Sequence, residues 1–250
     1  MIELKNLTKR YGSILAVDHI NLHVQKGEIF GFIGPNGAGK TTTIRMMGGV
    51  LAPTEGSVVI DGIDMAHDPE KVKKKIGFIP DRPFLYEKLT GMEFMRFSAD
   101  LYGVDENNFR EKSQGLLKKF GLFGWSHELI EAYSHGMKQR LIIAAALLHE
   151  PAVIIVDEPM VGLDPAAIKM VKDLLRELAD RGTTIFMSTH TLEIAEDLCD
   201  RIGIIHKGTL VATGTTEDLK RAAGAMGMNF ITDPRLEEVF LRLTEEQHIL

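Results

Sequence analysis

Residues 34–41 run Gly34, Pro35, Asn36, Gly37, Ala38, Gly39, Lys40, Thr41, and no other feature restricts the fold of this chain so narrowly. The spacing is that of a P-loop, G-x-x-x-x-G-K-[ST]. An apolar, β-prone run over 28–33 leads in, and a helix-compatible stretch over 41–47 leads out. Glycines let the backbone close around a polyphosphate so that several main-chain N–H groups converge on it. The positive end of the following helix adds to that attraction. In such a loop Lys40 reaches the β- and γ-phosphates and the Thr41 hydroxyl ligates Mg²⁺. An ordinary glycine-rich turn after a strand is the alternative. Eight matched positions in a strand–loop–helix frame weigh against it, so the ligand implied is a nucleoside triphosphate.

The rest of the chain alternates in the way an α/β fold requires. Strands are expected at 2–4, 20–24, 58–61, 76–80, 153–157, 184–189 and 201–206, with a turn at Tyr11 and Gly12. A helix should begin at Asp164 and Pro165, where Asp suits the N-cap and Pro the first turn. Its residues Ile168, Val171, Leu174, Leu175 and Leu178 form one apolar stripe, and Gly182 ends it. Between 85 and 132 apolar residues fall at helical spacings, Phe94, Phe97 and Leu101 among them, which predicts a helical insertion. Strands alternating with helices imply a mainly parallel sheet covered on both faces, with ligands at the carboxyl ends of its strands.

Two further clusters carry chemistry. Four aliphatic residues, 153–156, precede Asp157 and Glu158, so a buried strand delivers carboxylates to its tip. Asp157 would hold Mg²⁺ through water, because that ion sheds its hydration shell reluctantly. Glu158 stands where it could polarise a water for attack on the γ-phosphorus. An Asp-Glu-Pro turn capping the strand is the plainer account, and it leaves the apolar run into two adjacent acids unexplained. Tyr133, Ser134, His135, Gly136 and Met137 open an almost wholly apolar helix to residue 148. A serine hydroxyl, a glycine permitting close approach and a positive helix end make an anion site of Ser134 and Gly136. Taken alone, a plain capped helix explains them equally well.

Composition narrows the partners. A length of 250 residues suits one large domain or a domain with a subdomain. The net charge of −6 gives no reason to expect nucleic acid, and Cys199, the single cysteine, cannot form an intramolecular disulfide, so a reducing compartment is expected. Strand-like sequence directly after Met1 predicts no signal peptide. The longest apolar runs are too short to cross a bilayer, so any membrane role needs a partner.

In their order along the chain these elements resemble the ATP-binding cassette (ABC) ATPase family, the nucleotide-binding subunits of ABC transporters. The matching elements are Tyr11 as aromatic loop, 34–41 as Walker A, Asp81 in the Q-loop, 134–137 as signature, 153–158 as Walker B, Gly162, Leu163 and Asp164 as D-loop, and His190 as switch histidine. The resemblance implies one domain over 1–250: a RecA-like P-loop core, an N-terminal antiparallel β subdomain and a helical signature subdomain. The insertion at 85–132 would continue into the signature helix at 134–149, with an extension over 222–250. It further implies that Tyr11 stacks on adenine, Thr42 touches the α-phosphate, Asp164 helps link two subunits and His190 contacts the γ-phosphate. Two positions depart from the family pattern. Leu-Ser-Gly-Gly-Gln is here Tyr-Ser-His-Gly-Met, and the Q-loop glutamine is Asp81. Ionised aspartate only accepts hydrogen bonds, so Asp81 could ligate Mg²⁺ yet could not donate to a catalytic water.

The function implied is ATP hydrolysis coupled to transport, with two ATP-binding subunits, identical or related, closing head to tail on ATP and Mg²⁺. The chain would lie peripherally on the cytoplasmic face of the cell membrane beside an integral permease. Residues 82–86 would contribute to that contact. Residues 236–244 resemble the C-terminal helix of bacterial exporter subunits and are also simply an amphipathic helix, while 222–233 read as a flexible link. A soluble ABC ATPase acting on a ribosome or an assembly complex would share every phosphate-binding motif. It is the alternative, though translation-type members usually carry two cassettes and basic linkers. No sustained heptads support a chromosome-associated ATPase, and a P-loop kinase would not predict Ser134, Gly136 or His190.

Overall fold

A computed structural model of the chain describes residues 1–81, 84–225 and 236–245, with backbone alone for 225 and 245. The chain opens with a hairpin, β1 (Ile2–Tyr11) and β2 (Ile14–Val24). Next come β3 (Ile29–Ile33), α1 (Lys40–Met47), β4 (Glu55–Ile60), β5 (Ile63–Asp64), α2 (Pro69–Lys74) and β6 (Ile76–Ile79). A helical segment holds α3 (Gly91–Tyr102), α4 (Glu106–Lys119), two single 3₁₀ turns and α5 (His135–Leu147). Alternation then resumes with β7 (Val153–Asp157), α6 (Pro165–Asp180), β8 (Thr184–Thr189), α7 (Leu192–Leu198) and β9 (Arg201–His206). β10 (Thr209–Gly214), α8 (Thr216–Ala225) and α9 (Leu236–Glu245) follow.

Among the described residues these strands form two sheets. One is antiparallel in the order β2-β1-β4-β5. The other, β10-β9-β3-β8-β7-β6, is parallel from β9 to β6, with β10 antiparallel at its edge. Every residue of β3, β7 and β8 is buried, as sheets covered on both faces require. Phe30, Phe32 and Phe186 pack with Ile44 and Met47 of α1 and with Leu4, Leu7 and Ile20 of the first sheet in one core. A second core joins α3, α4 and α5 to the other face of β7 and β8 and to α6. A third lies under α7, α8 and α9.

Several elements differ from expectation for identifiable reasons. β1 and β2 run far beyond 2–4 and 20–24, their ladder continuing through register shifts, with Asn6 at φ +47° and His19 at φ +47°. A bulge breaks the period-two alternation by which a strand is read from sequence. The Thr8 hydroxyl takes the His19 N–H at 3.1 Å, satisfying a donor that the irregular ladder leaves out. β10 lacks clear alternation and pairs with β9 across Lys207 and Gly208, both at positive φ, the geometry of a tight hairpin turn. The helical insertion begins at Gly91 rather than 85. Its core face is Phe94, Met95, Ser98 and Ala99, whereas Leu101 is 64% exposed and Phe97 half-exposed. Residues 222–225 belong to α8, with Ala223 buried, so the expected link starts as helix; the rest of 222–233 lies outside the described residues. The expected helix at 236–244 is α9, which buries Leu236, Val239 and Leu243.

Candidate functional site

β3 lies between β8 and β9 at the middle of the parallel sheet, and the glycine-rich loop leaves its carboxyl end. Gly39 caps α1 at φ +110°, and a Cβ there would lie 2.6 Å from the Ala16 carbonyl oxygen. Only glycine allows both the conformation and the approach of β2. Gly208 in the β9–β10 turn donates its N–H to Ala38 at 2.9 Å, bracing the loop from the other side. Lys40 is 7% exposed, and its Nζ donates to the carbonyls of Gly34 at 2.7 Å and Pro35 at 3.2 Å. Burial pulls its pKa down, while the negative charges of Glu158 and Asp157 push it up. A buried ammonium lining the same cleft as these two carboxylates is an arrangement in which a polyphosphate would offset the burial.

β7 brings Asp157 to the same end of the sheet. Its carboxylate is almost wholly buried and accepts a hydrogen bond from the Ser188 hydroxyl of neighbouring β8. Glu158, one residue beyond the strand, takes a left-handed φ of +53° and donates its N–H to the Ser188 carbonyl at 3.1 Å. A non-glycine residue held there costs roughly 1–2 kcal/mol and persists only where the surroundings impose it. The conformation turns the Glu158 side chain toward His190, which follows β8. The His190 ring nitrogen Nδ1 lies 2.9 Å from Glu158 Oε1, and the His190 backbone N–H donates to Oε2 at 3.3 Å. Both carboxylate oxygens are thereby held in place.

These groups share one cleft of about 530 Å³ with Asn36, Gly37, Gly39, Lys40, Thr41, Thr42 and Asp81 on its wall. Its size falls within the roughly 300–1,000 Å³ usual for small-molecule sites. The oxygen donors of Thr41, Asp157 and Asp81 suit a hard cation. Among the described residues no three or more His, Cys, Asp or Glu side chains cluster closely enough to hold a metal on their own.

The cleft does not contain every residue expected at the site. Gly34, Pro35 and Ala38 are not among the residues of its wall. Tyr11 stands outside it at the β1–β2 turn, 46% exposed, with Lys9 Nζ 5.4 Å from the ring centroid. Ser134 is exposed, caps α5 by accepting the Met137 N–H at 3.3 Å, and like Gly136 forms no part of the wall. Asp164 caps α6, accepting the Ala167 N–H at 2.8 Å. Three wall residues went unpredicted: Ala16, His135 and Val161. Ala16 and Val161 carry no chemical signal in sequence. His135 was visible only as a departure from the family signature.

Comparison with known proteins agrees with this geometry. The family model described as "ABC transporter" matches residues 17–161. The chain is 37% identical over 246 residues to the Escherichia coli (strain K12) protein "Probable multidrug ABC transporter ATP-binding protein YbhF", which covers 98% of this chain. It spans only 42% of the length of that relative. A solved ATP-binding subunit of an ABC transporter superposes with a TM-score of 0.90 at 36% identity, covering 97% of this chain and 99% of its own. The dimeric ABC transporter cassette MJ0796 matches with a TM-score of 0.79 at 30% identity, covering 86% and 98%. The glycine-rich loop at the end of β3, the paired acids at the tip of β7, and a family match across more than half of the sequence agree: this chain belongs to the ABC transporter family.

Proposed function

We propose that this chain hydrolyses ATP as the motor subunit of a membrane exporter, peripheral on the cytoplasmic face and bound to an integral permease. The observation that carries the reading is a division of labour. Lys40, Thr41, Asp157, Glu158 and His190 converge on one cleft, while Ser134 and Gly136, at the positive end of α5, lie off it. A second ATP-binding subunit packed head to tail would place its own Ser134 and Gly136 on the phosphates held by Lys40. ATP then joins the two subunits, and its γ-phosphate supplies the contact that distinguishes closed from open. The dimeric form of the related MJ0796 cassette supports this arrangement.

In the closed state Asn36, Gly37 and Gly39 would line the phosphates, Thr42 would reach the α-phosphate and Tyr11 would stack on adenine. Thr41 and Asp157 would hold Mg²⁺, with Asp81 joining once the nucleotide is bound; the ion would supply charge neutralisation on the β- and γ-oxygens. Glu158 accepts a proton from the attacking water as the water oxygen bonds the γ-phosphorus. The bond to the β,γ-bridging oxygen breaks and ADP leaves with its electron pair. His190 orients Glu158 through Nδ1, leaving Nε2 to face the γ-phosphate. Asp164, capping α6, would fix the D-loop at the subunit seam. Toward the permease, Phe84 is 78% exposed and forms an edge-on chain with Tyr86 and Phe97, an apolar face for a membrane-partner helix. The multidrug name of the Escherichia coli relative favours export, with the substrate selected by the permease.

The test is Glu158→Gln with Mg·ATP, followed by light scattering and phosphate release. The variant should accumulate as a dimer and lose roughly 10²–10⁴-fold in turnover, the usual contribution of a positioned base. A monomer at saturating Mg·ATP, alone and in membranes, would refute the closing-dimer reading. Recovery of the native protein with ribosomes rather than a multi-span protein would transfer it to the soluble alternative.

A further inference from the structure

His135 stands where the family signature has glycine, and the fold puts it against a specific neighbour. The Ser134 cap and the exposed start of α5 leave the imidazole beside the turn that follows Glu158. A Cβ built on Gly162 would lie 2.4 Å from His135 Cδ2 and 2.7 Å from Nε2. The ring edge thus occupies the place a side chain at 162 would need. Gly162 also sits at φ +76°, a conformation that side chains resist. Beside it, a Cβ on Gly136 would lie 3.6 Å from the Gly162 carbonyl and 3.8 Å from Leu163 Cδ2. The helix end therefore runs close beside the turn at Gly162 and Leu163.

That turn is short and anchored. Val161 donates its N–H to the Glu158 carbonyl at 3.2 Å, and Leu163 donates to the Met160 carbonyl at 3.3 Å. Met160 is buried in the core beneath, and Asp164 caps α6. Residues 158–164 are pinned at both ends and underneath, so a push on Gly162 has few ways to relax that leave Glu158 unmoved. His135 and Val161 also line the cleft that holds Glu158 and His190.

We propose that His135 is a positioning residue that ties the end of α5 to the Glu158 turn of its own chain. This rests on the proposed closing dimer. There, α5 receives the triphosphate held by the other subunit, while Glu158 serves the triphosphate held by its own Lys40. The imidazole wedge makes occupancy of one site set the geometry of the base at the other. Two ATP molecules then fire as a coupled pair. A glycine at 135 would leave a gap above Gly162 and uncouple them without removing any group that touches phosphate.

The experiment compares His135→Gly and His135→Phe with the parent, each also combined with Glu158→Gln. His135→Gly should lower kcat about tenfold, the size expected for one broken contact between coupled residues, and reduce the Hill coefficient for ATP. Its KM should hold. His135→Phe, which restores a flat wedge without ring nitrogens, should recover both kcat and the Hill coefficient. In the Glu158→Gln background both variants should still form the Mg·ATP dimer at the parent's ATP concentration. An unchanged kcat and Hill coefficient in His135→Gly, with normal dimerisation, would overturn the coupling role alone. A loss that His135→Phe does not recover would also overturn it, since the wedge would then not be what matters. Failure of Glu158→Gln to dimerise with His135 intact would instead overturn the dimer reading beneath it.

Discussion

Replacing Lys40 by Met should separate what this residue does for the fold from what it does for the nucleotide. Lys40 Nζ donates to the carbonyls of Gly34 and Pro35. Losing that donor costs about 1–3 kcal/mol per buried acceptor left unpaired. Against this, the lysine is 7% exposed and its pKa is pulled down first by burial, despite the attraction of Glu158 and Asp157. The folded chain therefore holds the ammonium at a penalty, and Met of similar length removes it. The two terms oppose each other, and the Pro35 carbonyl keeps the Ala38 N–H at 3.2 Å, so only the Gly34 acceptor is left unpaired and the variant should lose no more than about 1–3 kcal/mol.

The sign can be checked with pH. The unfolded chain binds the Lys40 proton more tightly than the folded one. Lys40 therefore makes parent stability rise with pH between its lowered folded pKa and the ordinary value of 10.5, and Lys40→Met should lack that rise. Nucleotide behaves differently. At a Mg·ATP concentration of 100 times Kd, ligation stabilises the parent by about 2.7 kcal/mol. At about 2–4 °C per kcal/mol for a chain of this size, Tm should rise by about 5–10 °C. The variant should show no shift. Differential scanning fluorimetry with and without Mg·ATP reads both quantities. A variant that Mg·ATP still stabilises, or one that loses more than about 3 kcal/mol without nucleotide, would refute the reasoning.

Tyr11→Ala should weaken ATP binding roughly 5- to 150-fold, the equivalent of about 1–3 kcal/mol of stacking, and leave tripolyphosphate binding unchanged. Isothermal calorimetry with both ligands decides it, and an equal loss for both would remove Tyr11 from the base site. Asp81→Gln should shift the Mg²⁺ titration of ATPase activity to higher concentration; coincident curves would count against metal contact by Asp81. His149, stacked on Tyr102 with ring centroids 3.7 Å apart, has its pKa lowered chiefly by burial, although the Ile76 carbonyl opposes this. The unfolded chain takes up this proton first as pH falls below 6.5, so the parent should lose stability over that interval down to the lowered pKa. His149→Gln should be flat there in denaturant melts, and an identical pH slope would show that the imidazole is not responsible.

Legibility followed the range of the physics. The P-loop, the apolar strand into Asp157 and Glu158, the Asp164 cap and the stripe of α6 rest on neighbours within a few residues, and each lies where local rules put it. The full lengths of β1 and β2 were hidden, because bulges at Asn6 and His19 scramble the alternation that marks a strand. Of the helically spaced Phe94, Phe97 and Leu101, Phe94 is buried while Phe97 and Leu101 face outward, because helical spacing defines a stripe without saying which stripe the core will take.

The sequence alone determined which groups are available: a triphosphate loop, two carboxylates at a strand tip, a histidine after a strand and a capped helix end. Only the tertiary structure decided their company. Parallel pairing of β3 with β8 and of β8 with β7 brought Lys40, Glu158 and His190 to one rim from positions far apart in the chain. The same folding set Ser134 outward while laying His135 against Gly162. The difference is physical. Caps, turns and phosphate loops are settled by short-range sterics and hydrogen bonds, whereas strand order and helix placement are settled by burial of apolar surface across the whole chain.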